Sequence, residues 1–168
     1  KDYQEAIKWY RLAANQKYAF AQFALGAMYS YGGHGVQKDY QEAIKWYRLA
    51  ANQKHAFAQF ALGAMYNSGQ GVPKDLTEAF KWYSMAANQG LAGAQGSLGW
   101  MYYRNGNGDP KDFPKALNWY RLAAEQGDAI AQRFLGFMYD RGHGVPKDNA
   151  TSVKWYRLAA EQGDAFAQ

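Results

Sequence analysis

Residues 38–73 read K-D-Y-Q-E-A-I-K-W-Y-R-L-A-A-N-Q-K-H-A-F-A-Q-F-A-L-G-A-M-Y-N-S-G-Q-G-V-P, and the rest of the chain repeats this stretch. Lys-Asp returns at Lys1, Lys74, Lys111 and Lys147, and Trp-Tyr at Trp9, Trp46, Trp82, Trp119 and Trp155, in steps alternating between 37 and 36 residues. Self-similarity at a fixed period of about 20 to 50 residues marks a solenoid, in which each unit buries its apolar face against its neighbours. Chain length then reports the number of stacked units and not the size of one closed core.

Within the repeat, Ala43, Trp46, Tyr47, Ala50 and Ala51 fall at i, i+3, i+4, i+7 and i+8, one face of a helix. Large Trp-Tyr beside small Ala-Ala is expected to interlock with neighbouring helices, so the tryptophans read as core. A helix start is marked by D-x-x-E at Asp2/Glu5, Asp39/Glu42 and Asp75/Glu78, the pattern of a capping box. Asp112 keeps the cap and is followed by Pro114, which a first helical turn tolerates, and Asp148 opens the last such helix. This helix ends at Gly90, Gly127 or Gly163, where glycine suits a left-handed closing residue; Lys17 and Lys54 occupy that slot under strain.

The other helix of each unit runs in the earliest copy from about Ala19 to Ser30, with Ala21, Leu25, Met28 and Tyr29 as its buried face. Asp128 and Asp164 suit its N-cap better than Tyr18, His55 or Leu91 do. Gly26, Gly63, Gly99 and Gly136 fall mid-helix, at a cost of about 1 kcal/mol each relative to alanine, which close approach of a neighbouring helix would explain. Glycine loops around Gly33, Gly69, Gly106 and Gly142 close the units, with Pro73, Pro110 and Pro146 stiffening the approach to the next cap.

Composition narrows the function. An apolar share of 48% with 20% charged residues is globular, and no apolar run approaches the roughly 18 residues of a membrane span. No cysteine is present, which excludes disulfides and thiolate metal sites. The net charge of +5 would suit nucleic acid only if gathered into a stripe. Lys8, Lys45, Lys81 and Lys154, with Arg11, Arg48, Arg121 and Arg157, are instead distributed by the repeat over the outer face of the second helices. His34, His55 and His143 lie one per distant unit, without the converging ligands a metal needs. No H-E-x-x-H, G-x-S-x-G or S-x-x-K occurs. The reading is therefore no enzyme, no cofactor, no metal, no nucleic acid and no membrane insertion.

The pattern A-x-A-Q-x-x-L-G-x-M-Y, then G-x-G-V, then A-x-x-W-Y-x-x-A-A-x-Q-G resembles the Sel-one-like repeat (SLR) family, relatives of the tetratricopeptide repeats. Leu62-Gly63, Met65-Tyr66, Gly69, Gly71-Val72, Ala79, Trp82-Tyr83, Ala86-Ala87 and Gln89-Gly90 carry it in register. The resemblance implies an all-α superhelix of antiparallel helix pairs, first helices lining a concave wall and second helices a convex one. It also implies a scaffold or adaptor for protein complexes. The cysteine-rich branch of the family suggests an alternative, a cell-wall or β-lactam-related hydrolase or binding protein, but the absent cysteines argue against carrying it over.

The expected organisation is a second helix at 1–16, four units at 17–53, 54–89, 90–126 and 127–162, and the start of another first helix at 163–168. The chain thus reads as a piece of a longer array with open, apolar ends, expected to self-associate head to tail. A protein or peptide is expected along a second stripe of the first helices, opposite their buried face. In chain order its residues are Phe20, Phe23, Tyr31, Phe57, Phe60, Asn67, Trp100, Tyr103, Arg104, Arg133, Phe137, Asp140 and Arg141. Within it Phe20 and Phe57 are expected to share in packing between adjacent first helices more than Phe23 and Phe60 do. Gly93 and Gly96 are expected to leave a pocket beside Trp100, and Arg133 and Arg141 to meet an acidic group.

Overall fold

The computed structural model describes residues 3–33, 35–105, 112–165 and 167. The expected cap at Asp2, the loop residues His34, Gly106 and Pro110, and Phe166 and Gln168 of the expected C-terminal helix start lie outside them. Among the described residues the secondary structure is nine α-helices: α1 (Tyr3–Asn15), α2 (Ala19–Tyr31), α3 (Tyr40–Asn52), α4 (Ala56–Ser68), α5 (Leu76–Ala87), α6 (Ala92–Asn105), α7 (Phe113–Glu125), α8 (Ala129–Arg141) and α9 (Asn149–Glu161). They form an all-α solenoid in two compact units, residues 1–89 with α1–α5 and residues 90–168 with α6–α9. Inside the first, α2 pairs with α3 and α4 with α5, while α1 lies on α2 and α3 on α4; inside the second, α6 pairs with α7, α8 with α9, and α7 lies on α8.

The pairing follows from the mid-helix glycines. A Cβ built on Gly26 would lie 2.5 Å from Cδ1 of Tyr47, on Gly63 2.6 Å from Cδ1 of Tyr83, and on Gly99 2.8 Å from Cδ1 of Tyr120. Each glycine is thus a notch that receives the tyrosine ring of the Trp-Tyr pair on the next helix. The tyrosines are consequently the deep residues: Tyr47, Tyr83 and Tyr120 are buried, and burial pushes the Tyr47 phenol up to about 12 despite its hydrogen bond with Ser30. This corrects the expectation for tryptophan. Only Trp82, at 8% exposure, is buried; Trp46, Trp119 and Trp155 are half-buried, and Trp9 is 64% exposed. Met28 and Tyr29 are likewise half-buried, whereas Ala21 and Leu25 are fully so.

The caps follow the sequence with two corrections. Asp39 accepts from the Glu42 N–H at 3.0 Å, Asp75 from the Thr77 and Glu78 N–H groups at 2.9 and 3.0 Å, and Asp148 from those of Ala150 and Thr151 at 3.0 and 3.1 Å. The return half of the capping box is absent, because the N–H groups of Asp39 and Asp75 donate to the carbonyls of Tyr29 and Tyr66, at 2.8 and 3.0 Å. Glu42 and Glu78 instead pair with Lys45 and Lys81, at 2.8 and 3.2 Å. Asp112 makes no cap hydrogen bond; its own backbone is already helical and its carboxylate pairs with Lys115 at 3.0 Å. At the first helices Asp128 caps as expected, accepting from the Ala131 N–H at 2.8 Å. His55 also caps, through Nδ1 and the Ala58 N–H at 3.3 Å.

In two of the G-x-G-V loops the second glycine is set by close approach: a Cβ on Gly71 would stand 2.6 Å from Cβ of Tyr40, and one on Gly144 2.8 Å from the carbonyl carbon of Phe113, each at the start of the preceding second helix. The helix-closing slot behaves as the sequence implied, with Lys17 and Lys54 at φ 67° and 64° and Gly90, Gly127 and Gly163 between 87° and 89°. An L-residue in that conformation is strained, so Lys54→Gly is expected to stabilise the chain by about 0.5 to 1 kcal/mol after its unfolded-state entropy is discounted. Urea denaturation followed by circular dichroism measures it, and an unchanged or lower midpoint refutes it.

Candidate functional site

The predicted stripe is displayed on the first helices of each unit, but its members divide differently from expectation. On α2 and α4, Phe20 and Phe57 are 64% and 55% exposed, Tyr31 is 82% exposed, and Asn67 is exposed. Phe23 and Phe60, one turn further along, are half-buried. The Phe23 ring lies 5.8 Å from Tyr47, stacks on His55 at 4.9 Å and stands 6.1 Å from Phe57; Phe60 lies 5.7 Å from Tyr83. Between adjacent first helices Phe57 meets Phe23, as expected of it, while Phe23 and Phe60 are the more buried pair because each also packs on the tyrosine of its own helix pair. The cause is position: Phe23 precedes Gly26 by one turn, so it flanks the notch that Tyr47 fills. His55 joins the same aromatic cluster, and burial holds its imidazole below the ordinary value.

In the second unit the stripe runs over α6 and α8. Trp100 is 39% exposed. The expected pocket beside it is filled: Phe134 of α8 lies 5.3 Å from Trp100 and stacks on Tyr120 at 5.1 Å and 11°. Tyr103 stacks on Phe113 at 5.3 Å, meets the edge of Phe137 at 6.1 Å, and its hydroxyl lies 3.0 Å from Nδ1 of His143. Tyr103, Phe113 and His143, with Val145 and Pro146, line a shallow depression, and burial pushes the Tyr103 phenol up. Arg104 is exposed. The acidic group expected for Arg133 and Arg141 is supplied by the chain itself: Arg133 Nε donates to Asp164 at 3.2 Å, and Arg141 forms an ion pair with the adjacent Asp140, Nε to carboxylate 3.3 Å.

The second helices carry the cations on their outer side, as expected, and besides Lys45 and Lys81, paired with Glu42 and Glu78, two arginines have partners there. Arg11 donates to the Tyr29 hydroxyl at 2.7 Å and Arg48 to that of Tyr66 at 2.8 Å. Among the described residues, no three His, Asp or Glu side chains stand together as a metal set would, and no helix is long and apolar enough to cross a membrane.

A feature not read from the sequence positions both stripes. Gln22, Gln59 and Gln132 are buried in the first helices. Each donates to a carbonyl of the preceding second helix, at Ala14, Ala51 and Ala124, at 3.1 Å. Each also accepts from the glutamine that ends the following second helix, Gln53, Gln89 and Gln162, at 2.7, 2.7 and 2.8 Å. One amide thus ties three successive helices together and fixes the rotation of the first helix whose other side is the stripe. The sequence signal was the recurrent A-x-A-Q, a polar residue between alanines of a buried face.

A family model described as Sel1 repeat matches residues 1–18, 19–55, 56–91, 92–128 and 129–164. Among solved structures, the chain is similar to a protective antigen of uropathogenic Escherichia coli displaying an SLR fold, at 40% identity and a TM-score of 0.89 over 96% of this chain and 34% of that one. It is similar to a Sel1 repeat protein from Oxalobacter formigenes at 43% identity and a TM-score of 0.87, over 97% and 66% of the two chains. It is also similar to Helicobacter pylori cysteine rich protein B, at 27% identity and a TM-score of 0.58, over 80% and 97%. The chain thus spans about a third of the Escherichia coli protein and under two thirds of the Oxalobacter one. A search of the curated proteins finds no match. The glycine notch, the paired helices and the five matched repeats together make this chain a member of the Sel1 repeat family, whose members are generally scaffolds for protein interactions.

Proposed function

We propose that the chain is a non-catalytic binding module that holds a protein or peptide segment against the exposed stripe that the first helices display within each compact unit. The observation that carries this reading is the contrast between the two sides of those helices. The inner side repeats the same small and aliphatic residues in every copy, while the outer side changes from Phe20 and Phe57 to Gly93 and Ile130 at one position and from Ala27 and Ala64 to Trp100 and Phe137 at another, with Phe20, Phe57, Trp100 and Ile130 exposed. Exposed aromatics on a rigid frame are the residue type that anchors interfaces, whereas packing alone would favour polar residues there. Phe23, Phe60 and Phe134 support the stripe from beneath, and Arg133 is engaged with Asp164, so neither group is counted among the contacts.

The test compares proteins retained by the immobilised chain with those retained by a Phe20→Ser, Phe57→Ser, Trp100→Ser variant and by an outer-face control, Leu49→Ser, Leu122→Ser. A partner kept by the control and lost by the stripe variant, with helical circular dichroism preserved in both, is the expected result. Retention by the stripe variant, or equal loss in the two, moves the site off the first helices.

A further inference from the structure

We infer that the stripe of the first unit is specific for an acidic peptide, whose carboxylates meet Lys17 and Lys54 while its apolar side chains seat on Phe20 and Phe57. This rests on the reading of the stripe as a binding surface and adds the chemistry of the occupant. Lys17 and Lys54 follow the last turns of α1 and α3, are exposed, and lead directly into the first turns of α2 and α4, where Phe20 and Phe57 stand. Both lysines hold a left-handed conformation, whereas Gly90, Gly127 and Gly163 occupy the same slot elsewhere in the chain without strain. The negative end of a helix dipole favours a cation there and offsets part of that cost.

What the fold leaves over is the charge itself. Among the described residues the acids of the first unit, Glu5, Asp39, Glu42, Asp75 and Glu78, stand at the opposite ends of the second helices; Glu42 is twelve residues before Lys54, about 18 Å along α3, and already paired with Lys45. That distance is about two Debye lengths in physiological salt, so neither lysine is neutralised by the described acids of its own unit. In the second unit the matching positions are Gly90 with Gly93, and Gly127 with Ile130, so cation and phenylalanine are replaced together. Single-stranded nucleic acid also combines negative charge with a surface for rings, but it requires a continuous cationic track. Here there is one cation per repeat beside the rings, with Lys45 and Lys81 drawn to Glu42 and Glu78 on the second helices.

The probe is a dye-labelled peptide alternating Glu-Asp with Leu-Phe, read by fluorescence anisotropy. Its companions are the same peptide with every acid replaced by lysine, and a labelled oligothymidylate. The decisive variant is Lys17→Gly, Lys54→Gly, which removes the charges while relieving backbone strain, so loss of binding cannot be assigned to unfolding. The acidic peptide is expected to bind the chain and to lose about tenfold in affinity in this variant, the effect of two rim ion pairs. Equal binding by the glycine variant, equal binding of the lysine peptide, no binding up to about 1 mM, or preference for oligothymidylate overturns the inference. A Phe20→Ser, Phe57→Ser variant separates the two readings. If it loses the peptide while the glycine variant does not, the stripe stands and the charge specificity falls; if neither loses it, the stripe of the first unit falls as well.

Discussion

Gly63→Ala is expected to destabilise the first unit by about 1 to 3 kcal/mol, although alanine is the better helix former by about 1 kcal/mol. The added methyl carbon would lie 2.6 Å from Cδ1 and 2.7 Å from Cε1 of Tyr83, well inside van der Waals contact. Tyr83 cannot swing away, because it is 5% exposed and carries the Phe60 ring at 5.7 Å. Relief requires α4 and α5 to separate, which would also stretch the bond of Gln89 to Gln59. Gly96→Ala is the control: it too is mid-helix, but the nearest atom to its Cβ is a carboxylate oxygen of Asp128 at 3.9 Å. There propensity is unopposed, and a gain of about 1 kcal/mol is expected. Urea titrations of the two variants should therefore move in opposite directions; a neutral or stabilising Gly63→Ala would mean that the notch is not tight.

The contrast between those glycines shows what could be read in the sequence. A repeat of 36 or 37 residues, helical spacing and Asp at the helix starts sufficed for the helix pairs, since each is a local or periodic signal. Depth was less legible. Trp9 and Trp82 occupy one slot of the same motif, yet are 64% and 8% exposed, because burial depends on which neighbouring helices are present. Trp46 packs against Ala14, Ala21 and Leu25, all from helices earlier in the chain. Helical spacing identifies the face but not which of two adjacent rings enters the notch; the mid-helix glycine decides that, and it selects tyrosine.

The candidate site was legible as a stripe and misread in its depth. Spacing put Phe20 and Phe23 on one side of α2, but only the position of Gly26 distinguishes the supporting ring from the displayed one. The acid that meets Arg133 and the glutamines that donate to the buried glutamines lie 30 or 31 residues away, beyond any helical window. A long polar side chain reads as surface until the carbonyl it serves is known; Gln59 is buried beside Ala58 and Leu62 because its amide donates to the Ala51 carbonyl.

The largest correction also supplies the strongest test. Phe134→Ala is expected to cost the second unit about 2 to 3 kcal/mol, somewhat below a fully buried phenylalanine because the ring is half-buried. Phe23 and Phe60 cover Tyr47 and Tyr83 from within the same helix pair, at 5.8 and 5.7 Å. The third copy has Gly96 at that position, and its tyrosine, Tyr120, is nevertheless 0% exposed because Phe134 reaches across from α8. In the earlier copies the residue matching Phe134 is Ala24 or Ala61. The two arrangements are alternatives for one volume, so Gly96→Phe alone should overpack and cost about 1 to 3 kcal/mol. Gly96→Phe with Phe134→Ala restores the pattern of the first unit and should recover to within about 1 kcal/mol of the parent, a coupling of 2 kcal/mol or more. Urea denaturation of the four proteins yields the cycle. Additive losses would show that the two sites do not share the volume over Tyr120, and that the ring of Phe134 stabilises α8 for some other reason.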